Sequence, residues 1–282
     1  MKALVIGNGE SRSWFKPCHQ TIMDKNIVTW GCNAIYRDGP NCVHNLVAMD
    51  YAMQQEIYDS GWCEENPEYG SVHEVHFGNW NIVPSDIVDA MFMGFDIPET
   101  FIHKSKNRTD ACVISGKDPA TLSERIDAAI KEYPNLDMDD LKLKMSKDVG
   151  VWITYVNEIR DVVNPLVNHD GWSTGNTALS LACHAGAEEI YMLGFDLSTY
   201  NKPLNNMYKG TDNYLPVSAK GFNPVNWIEQ MSKVFDKYKN VTFYWVDCRL
   251  HGQSWHGSEI HNYHFNVRYL TKDELCDTIK IL

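Results

Sequence analysis

The chain has 282 residues, 44% of them hydrophobic, which is enough for one large α/β domain with a peripheral insertion. Against 25 basic residues stand 37 acidic ones, for a formal net charge of −12. With no clustered run of Lys and Arg, that balance excludes duplex nucleic acid and anionic membrane surfaces from the expected partners.

In chain order, Lys2–Ile6 reads as an apolar strand running straight into Gly7-Asn8-Gly9-Glu10-Ser11. The glycines let the backbone turn sharply and approach a ligand, Asn8 is placed to bond a phosphate or base, and Ser11 to cap the next helix. A tight strand-to-helix turn with no ligand is the competing account. Position 12 is Arg, so the third glycine of the dinucleotide fingerprint is missing, and there is no G-K-[ST] of a P-loop. A second strand, Ile27–Trp30, leads into Gly31-Cys32-Asn33-Ala34-Ile35-Tyr36, and a third, Leu46–Met49, ends at Asp50 before a helix over Tyr51–Tyr58. Asn33 and Asp50 thus follow the carboxyl ends of strands, where open α/β sheets hold their ligands. Helix capping accounts for Asp50 equally well.

Val72–Phe77 reads as a further strand and Pro119–Glu132 as a helix, inside a stretch of about 78–170 expected to be inserted or peripheral. Asp137-Met138-Asp139-Asp140 carries a D-x-D pattern, which carboxylates at a helix start explain more simply than a metal does. Ser173-Thr174-Gly175-Asn176 then opens a helix over Asn176–Ala185, ended by Gly186. Unpaired N–H groups at such a start, beside Ser and Thr hydroxyls, make a seat for a phosphate or carboxylate. The strand Ile190–Leu193 follows and ends in Gly194-Phe195-Asp196, so Asp196 joins Asn33 and Asp50 past a strand end. Residues 198–222, rich in Asn, Tyr, Lys, Gly and Pro, are long for a connection and fit a lid, with a plain surface loop as the alternative. Pro224–Tyr238 and Val241–Val246 supply the last predicted helix and strand.

Four C-terminal histidines, His251, His256, His261 and His264, do not share one helical face and contain no H-E-x-x-H, so packing or surface roles are expected and no metal site. The eight cysteines form no C-x-x-C pair and read as reduced thiols. No apolar run approaches the ~20 residues needed to span a bilayer, and no leader is apparent, so a soluble cytoplasmic protein is expected. Alternating strands and helices predict a doubly wound, mostly parallel α/β sheet. Two strand-to-turn anion seats point to a nucleotide-like ligand.

The motifs together resemble the bacterial sialyltransferases of glycosyltransferase family 42. Shared features are the strand with G-N-G-x-S, C-N-x-x-Y after the second strand, the S/T-G turn before a helix, and Gly186-Ala187-Glu188-Glu189-Ile190-Tyr191-Met192-Leu193-Gly194-Phe195-Asp196. They cover about residues 1–58 and 172–246. The resemblance implies a Rossmann-like, GT-A-variant fold and transfer of a sialic acid-like sugar from a CMP-activated donor to a hydroxyl acceptor, without metal or cofactor. It implies cytidine nucleotide contacts at Asn8, Asn33, Ser173, Thr174 and Gly175, with Gly7, Gly9 and Ser11 in the glycine-rich loop. Three positions depart from the family. Asp50 stands where it has an Asn on the donor sugar, Asn176 lies near a phosphate-binding Tyr, and Asn223 takes the place of the catalytic His. The base is then expected among His169, Tyr200, Tyr208 and Tyr214. The same turns also resemble archaeal 6-hydroxymethylpterin pyrophosphokinases, for which Asp50 and Asp196 are the available magnesium carboxylates. A non-catalytic nucleotide-sugar binder is the third expectation, and an oligomer is compatible with all three.

Overall fold

The structure, a computed structural model, describes residues 1–17, 22, 26–39, 42–60, 62, 74–78, 100–104, 110–115, 131, 134, 151–156, 173–197, 203–222, 224–246 and 264–281. The chain divides into two compact units, Met1–Val47 with Glu158–Leu282, and Ala48–Asn157. In chain order the strands are β1 (Lys2–Ile6), β2 (Ile27–Cys32), β3 (Asn45–Ala48), β4 (Glu74–Gly78), β5 (Thr100–Lys104), β6 (Asp110–Ser115), β7 (Val151–Val156), β8 (Glu189–Leu193), β9 (Thr242–Val246) and β10 (Val267–Leu270). The helices are α1 (Tyr51–Asp59), α2 (Thr174–His184), α3 (Val225–Lys237) and α4 (Lys272–Ile279), with short 3-10 turns at Glu10–Arg12 and Asn33–Asp38.

The first unit is a six-stranded sheet in the order β10-β9-β8-β1-β2-β3, parallel throughout, as the sequence reading expected of an α/β, Rossmann-like fold. Ala3 to Ile6 have no solvent exposure at all, which is why β1 reads as an unbroken apolar run: a central parallel strand is covered on both faces. From β1 the chain moves outward through β2 to β3, then returns to the other side of β1 with β8. That reversal makes the switch point at which such sheets leave a crevice. Register sets the crevice geometry, because Ile6 lies level with both Gly31 and Leu193. Three loops therefore leave the sheet side by side.

Side chains lock the flanks. Helix α2 packs on β1, β2 and α3. Phe235 of α3 meets Phe243 of β9 with ring centroids 4.6 Å apart, and Tyr191 stacks on its cross-strand partner Tyr244 at 5.0 Å. Asn266 donates its amide to the carbonyls of Phe235 and Tyr238, closing the end of α3. A capping box between Thr271 and Glu274 starts α4.

In the second unit the strand order is β4-β7-β6-β5, with β4 and β7 parallel and the other two pairs antiparallel. The sequence placed β4 two residues early and missed β5, β6 and β7. The predicted helix over 119–132 lies outside the described residues except for Lys131. The unit begins at Ala48, well before the inserted stretch of 78–170 read from sequence.

His76 on β4 is buried, and burial lowers its pKa from 6.5 to about 4. The unfolded chain therefore binds a proton that the folded chain refuses between those values. Stability falls as pH drops from about 6.5 towards 4, by roughly 3 kcal/mol for a shift of that size. Urea unfolding at pH 7 and pH 4.5 is expected to show that loss, and His76→Phe to flatten it; an equal slope in the variant would assign the loss elsewhere.

Candidate functional site

Two loops meet first. Gly7 N–H donates to the Leu193 carbonyl at 2.8 Å and Gly9 N–H to the Gly194 carbonyl at 2.9 Å. A Cβ on Gly7 would stand 2.6 Å from the Gly194 oxygen, and one on Gly194, whose φ is +72°, would stand 2.8 Å from the Gly7 oxygen. On Gly9 it would meet the Asp196 carboxylate at 2.6 Å. These glycines serve a close approach, as the sequence suggested, but what comes close is the chain's own β8 loop.

The N–H groups around the first 3-10 turn are also committed. Ser11 N–H donates to Asp196 Oδ2 at 2.7 Å and Glu10 N–H to Asn205 Oδ1 at 2.7 Å. Asp196 thus fills, with a side-chain carboxylate, the anion seat that the sequence offered to a phosphate. The other seat is different. Ser173 caps α2 by accepting from Asn176 N–H at 3.3 Å, and its own N–H donates to Gln230 Oε1 at 2.9 Å. The first i to i−4 bond of α2 is Thr177 N–H to Ser173 O. The N–H groups of Thr174 and Gly175 consequently have no acceptor among the described residues.

Asn33 ties this seat to the second loop. It adopts φ +50°, a left-handed conformation that Asn tolerates better than other side chains, and its Oδ1 accepts from the Thr174 hydroxyl at 3.1 Å. The next residue, Ala34, donates its N–H to Tyr214 Oη at 3.4 Å, and Asn8 Nδ2 donates to the same oxygen at 3.0 Å. The amino-terminal loop, the Asn33 turn and the start of α2 therefore converge, as the sequence reading required. Buried side-chain atoms without a partner among the described residues include Asn8 Oδ1 and Ser11 Oγ in the amino-terminal loop and Thr177 Oγ1 and Asn176 Oδ1 on α2. The Asn176 amide donates through Nδ2 to Trp227 O and Gln230 Oε1 on the α3 side. Buried polar atoms are rarely left unpaired, and a cluster of them marks a place where a polar ligand can bond.

Residues 203–222, the described part of the lid expected over 198–222, lie over this region. Met207 N–H donates to Asn8 O at 2.8 Å, Lys209 pairs with Glu10 at 2.5 Å, and Arg37 donates to Thr211 Oγ1 at 2.7 Å and Asp212 O at 3.0 Å. Tyr208, one of the proposed bases, is engaged otherwise. Its hydroxyl donates to Asp38 Oδ1 at 2.9 Å and accepts from Arg12 at 2.8 Å, and burial pushes its pKa further up. A phenol so held is a poor proton acceptor, and its place is a structural one. Among the described candidates, Tyr214 reaches the crevice, where Asn8 and Ala34 donate to its oxygen. Its oxygen accepts twice, so any further contact it makes there is as a donor.

Of the remaining candidates, Asp50 belongs to the second unit, where its carbonyl accepts Gln54 N–H at the start of α1. His169, Tyr200, Asn223, the Asp137–Asp140 segment, His251, His256 and His261 lie outside the described residues. His264 sits 3.4 Å from the Asp236 carboxylate with its ring against Phe235, a packing role. Among the described residues no group of three metal-ligating side chains occurs, and no helix is long and apolar enough to cross a membrane.

No family model matches the chain, nor does any curated protein. Solved structures do. The chain is similar to the sialyltransferase CstII of Campylobacter jejuni in complex with the substrate analogue CMP-3FNeuAc, at 16% identity and TM-score 0.39, covering 87% of this chain and 80% of the other. A CST-II variant in complex with CMP aligns at 13% identity and TM-score 0.43, over 87% and 81% of the two chains.

Sequence reasoning missed Arg12, Asp38, Arg37 and Gln230. Arg12 was noticed only as the residue that spoils a dinucleotide fingerprint, yet it is fully buried. The Gly194 contact gives a direct test of the loop packing. Gly194→Ala is expected to cost about 1–3 kcal/mol in chemical denaturation. It should exceed Gly186→Ala, which has a similar φ of +90° but nothing within 4 Å of a new Cβ.

Proposed function

We propose that this chain is a glycosyltransferase that takes a sialic acid-like sugar from a CMP-activated donor and passes it to a hydroxyl acceptor. The observation that supports the reading is the open first turn of α2 beside Asn33, with unpartnered buried oxygens on Thr177 of the same helix and on Asn8 of the adjoining loop. Their chemistry, amide and hydroxyl oxygens beside backbone N–H donors, suits a ligand that carries both a nucleoside and a phosphate. The motif resemblance to glycosyltransferase family 42 supplies the cytidine and the sugar.

In this reading Asn8 and Asn33 hold base, ribose or phosphate, and the Ser173-Thr174-Gly175 turn receives the phosphate. The acceptor oxygen attacks the anomeric carbon, a new C–O bond forms, and the bond from that carbon to the phosphate oxygen breaks. CMP leaves with the electron pair. Its phosphate is already a weakly basic leaving group, so stabilising the developing charge is the main task. The Thr174 and Gly175 N–H groups and the Tyr214 hydroxyl are the donors for it. His169 is assigned the acceptor proton. Residues 203–222 exclude water and limit donor hydrolysis. No divalent ion enters any step.

Thermal-shift titration with CMP, CMP-sialic acid and ATP, each with magnesium or with EDTA, tests the assignment. Metal-independent stabilisation by the cytidine compounds is expected, with Asn33→Ala weakening their affinity by about tenfold, as for loss of one good hydrogen bond. Donor turnover should fall by about 10²–10⁴ in His169→Ala. Stabilisation by ATP with magnesium alone would replace this reading with diphosphoryl transfer, and binding of CMP-sialic acid without turnover would leave a binder.

A further inference from the structure

Arg12 has no solvent exposure, and its guanidinium joins three segments that are remote in sequence. Nε donates to Gly7 O at 2.6 Å, inside the amino-terminal loop. One terminal nitrogen donates to Phe15 O at 3.3 Å and to Asp38 Oδ2 at 3.2 Å, at the end of the Asn33–Asp38 turn. The other donates to Tyr208 Oη at 2.8 Å, from the overlying segment, and Tyr208 closes the ring by donating to Asp38 Oδ1 at 2.9 Å. The guanidinium also lies 5.6 Å from the centroid of the Tyr208 ring. A buried charge is tolerated only when paired and hydrogen-bonded, and here each partner comes from a different part of the crevice wall.

We propose that Arg12, Asp38 and Tyr208 form a latch that positions Tyr214 in the crevice. Residues 208–215 are tied together by their own hydrogen bonds. Thr211 N–H and Oγ1 both donate to Tyr208 O, at 3.1 and 2.6 Å; Tyr214 N–H donates to Thr211 O at 3.1 Å, and Gly210 N–H to Leu215 O at 2.7 Å. Gly210 and Asn213 supply the left-handed turns, with φ of +80° and +60°. The two tyrosine rings pack with centroids 5.7 Å apart. Fixing the Tyr208 hydroxyl on Arg12 and Asp38 therefore fixes the Tyr214 hydroxyl where Asn8 and Ala34 donate to it. The same guanidinium holds Gly7, next to Asn8, so donor and acceptor of that bond are referenced to a single group. Tyr208 is thus a positioning residue that acts through Tyr214. Its hydrogen bonds leave it no part in proton transfer.

The idea rests on the proposed nucleotide site only for its binding arm. Tyr208→Phe removes one oxygen and keeps the ring, so the fold should survive. In the full-length protein, hydrogen exchange of the 203–215 amides is expected to accelerate by tenfold or more, while β1 and β8 amides are unchanged. Tyr208→Phe and Tyr214→Phe should each weaken CMP binding, and the double variant should bind no more weakly than Tyr214→Phe alone. Such non-additivity is expected only if one residue acts through the other. Unchanged exchange in Tyr208→Phe, or additive losses of affinity, would overturn the latch. If the wild-type protein binds no cytidine nucleotide, the functional reading fails and the exchange result alone decides.

Discussion

Backbone meets backbone where β1 and β8 end. Gly7 and Gly194 face each other so closely that neither position has room for a methyl group, and the contact is carried by main-chain atoms that no repacking of side chains can move aside. The rest of the crevice is referenced to it. With the loops at this distance Asp196 reaches Ser11 N–H, and a wider gap would break that bond.

That arrangement divides the electrostatics of the crevice into a closed half and an open half. Around residues 9–12 the donors are answered internally, by Asp196, Asn205 and Asp38. At the start of α2 the N–H groups of Thr174 and Gly175 face the crevice beside Asn33, with the macrodipole of an eleven-residue helix behind them. A chain of net charge −12 gains little long-range attraction for an anion. Any affinity for one has to arise from such short-range, directional donors.

Much of the first unit was legible because its physics is local. Continuous apolar runs mark β1, β2 and β8, and Ser173 with Gly186 brackets α2 within two residues at either end. Asn33 was found because a polar residue just past the carboxyl end of a parallel strand lies where open α/β sheets hold their ligands. The glycines illustrate the limit. Their need for space is visible in sequence, but whether a ligand or another loop fills that space depends on a strand more than 180 residues away in register, as with Ile6 and Leu193. Arg12 shows the same limit more sharply. An Arg reads as a surface residue unless its partners are known, and Asp38 and Tyr208 come from two other segments. Strands β5 to β7 were missed for a different reason. Short apolar runs such as Ala111–Ile114 of β6 do not by periodicity separate a strand from a buried helix segment.

The pairing of β1 with β8 also bears on how the protein is made. Strand β1 has its partner on one side, β2, within a few dozen residues, but the other side waits until Glu189–Leu193 has been synthesised. Until then a fully apolar strand offers an unpaired edge, and closing the intervening span carries a large entropy cost. Folding of the first unit is accordingly a late, non-local event, slow in the manner of high-contact-order parallel sheets. The nascent chain is most exposed to misassociation during that interval, when Ala3 to Ile6 have nothing yet to lie against on the β8 side.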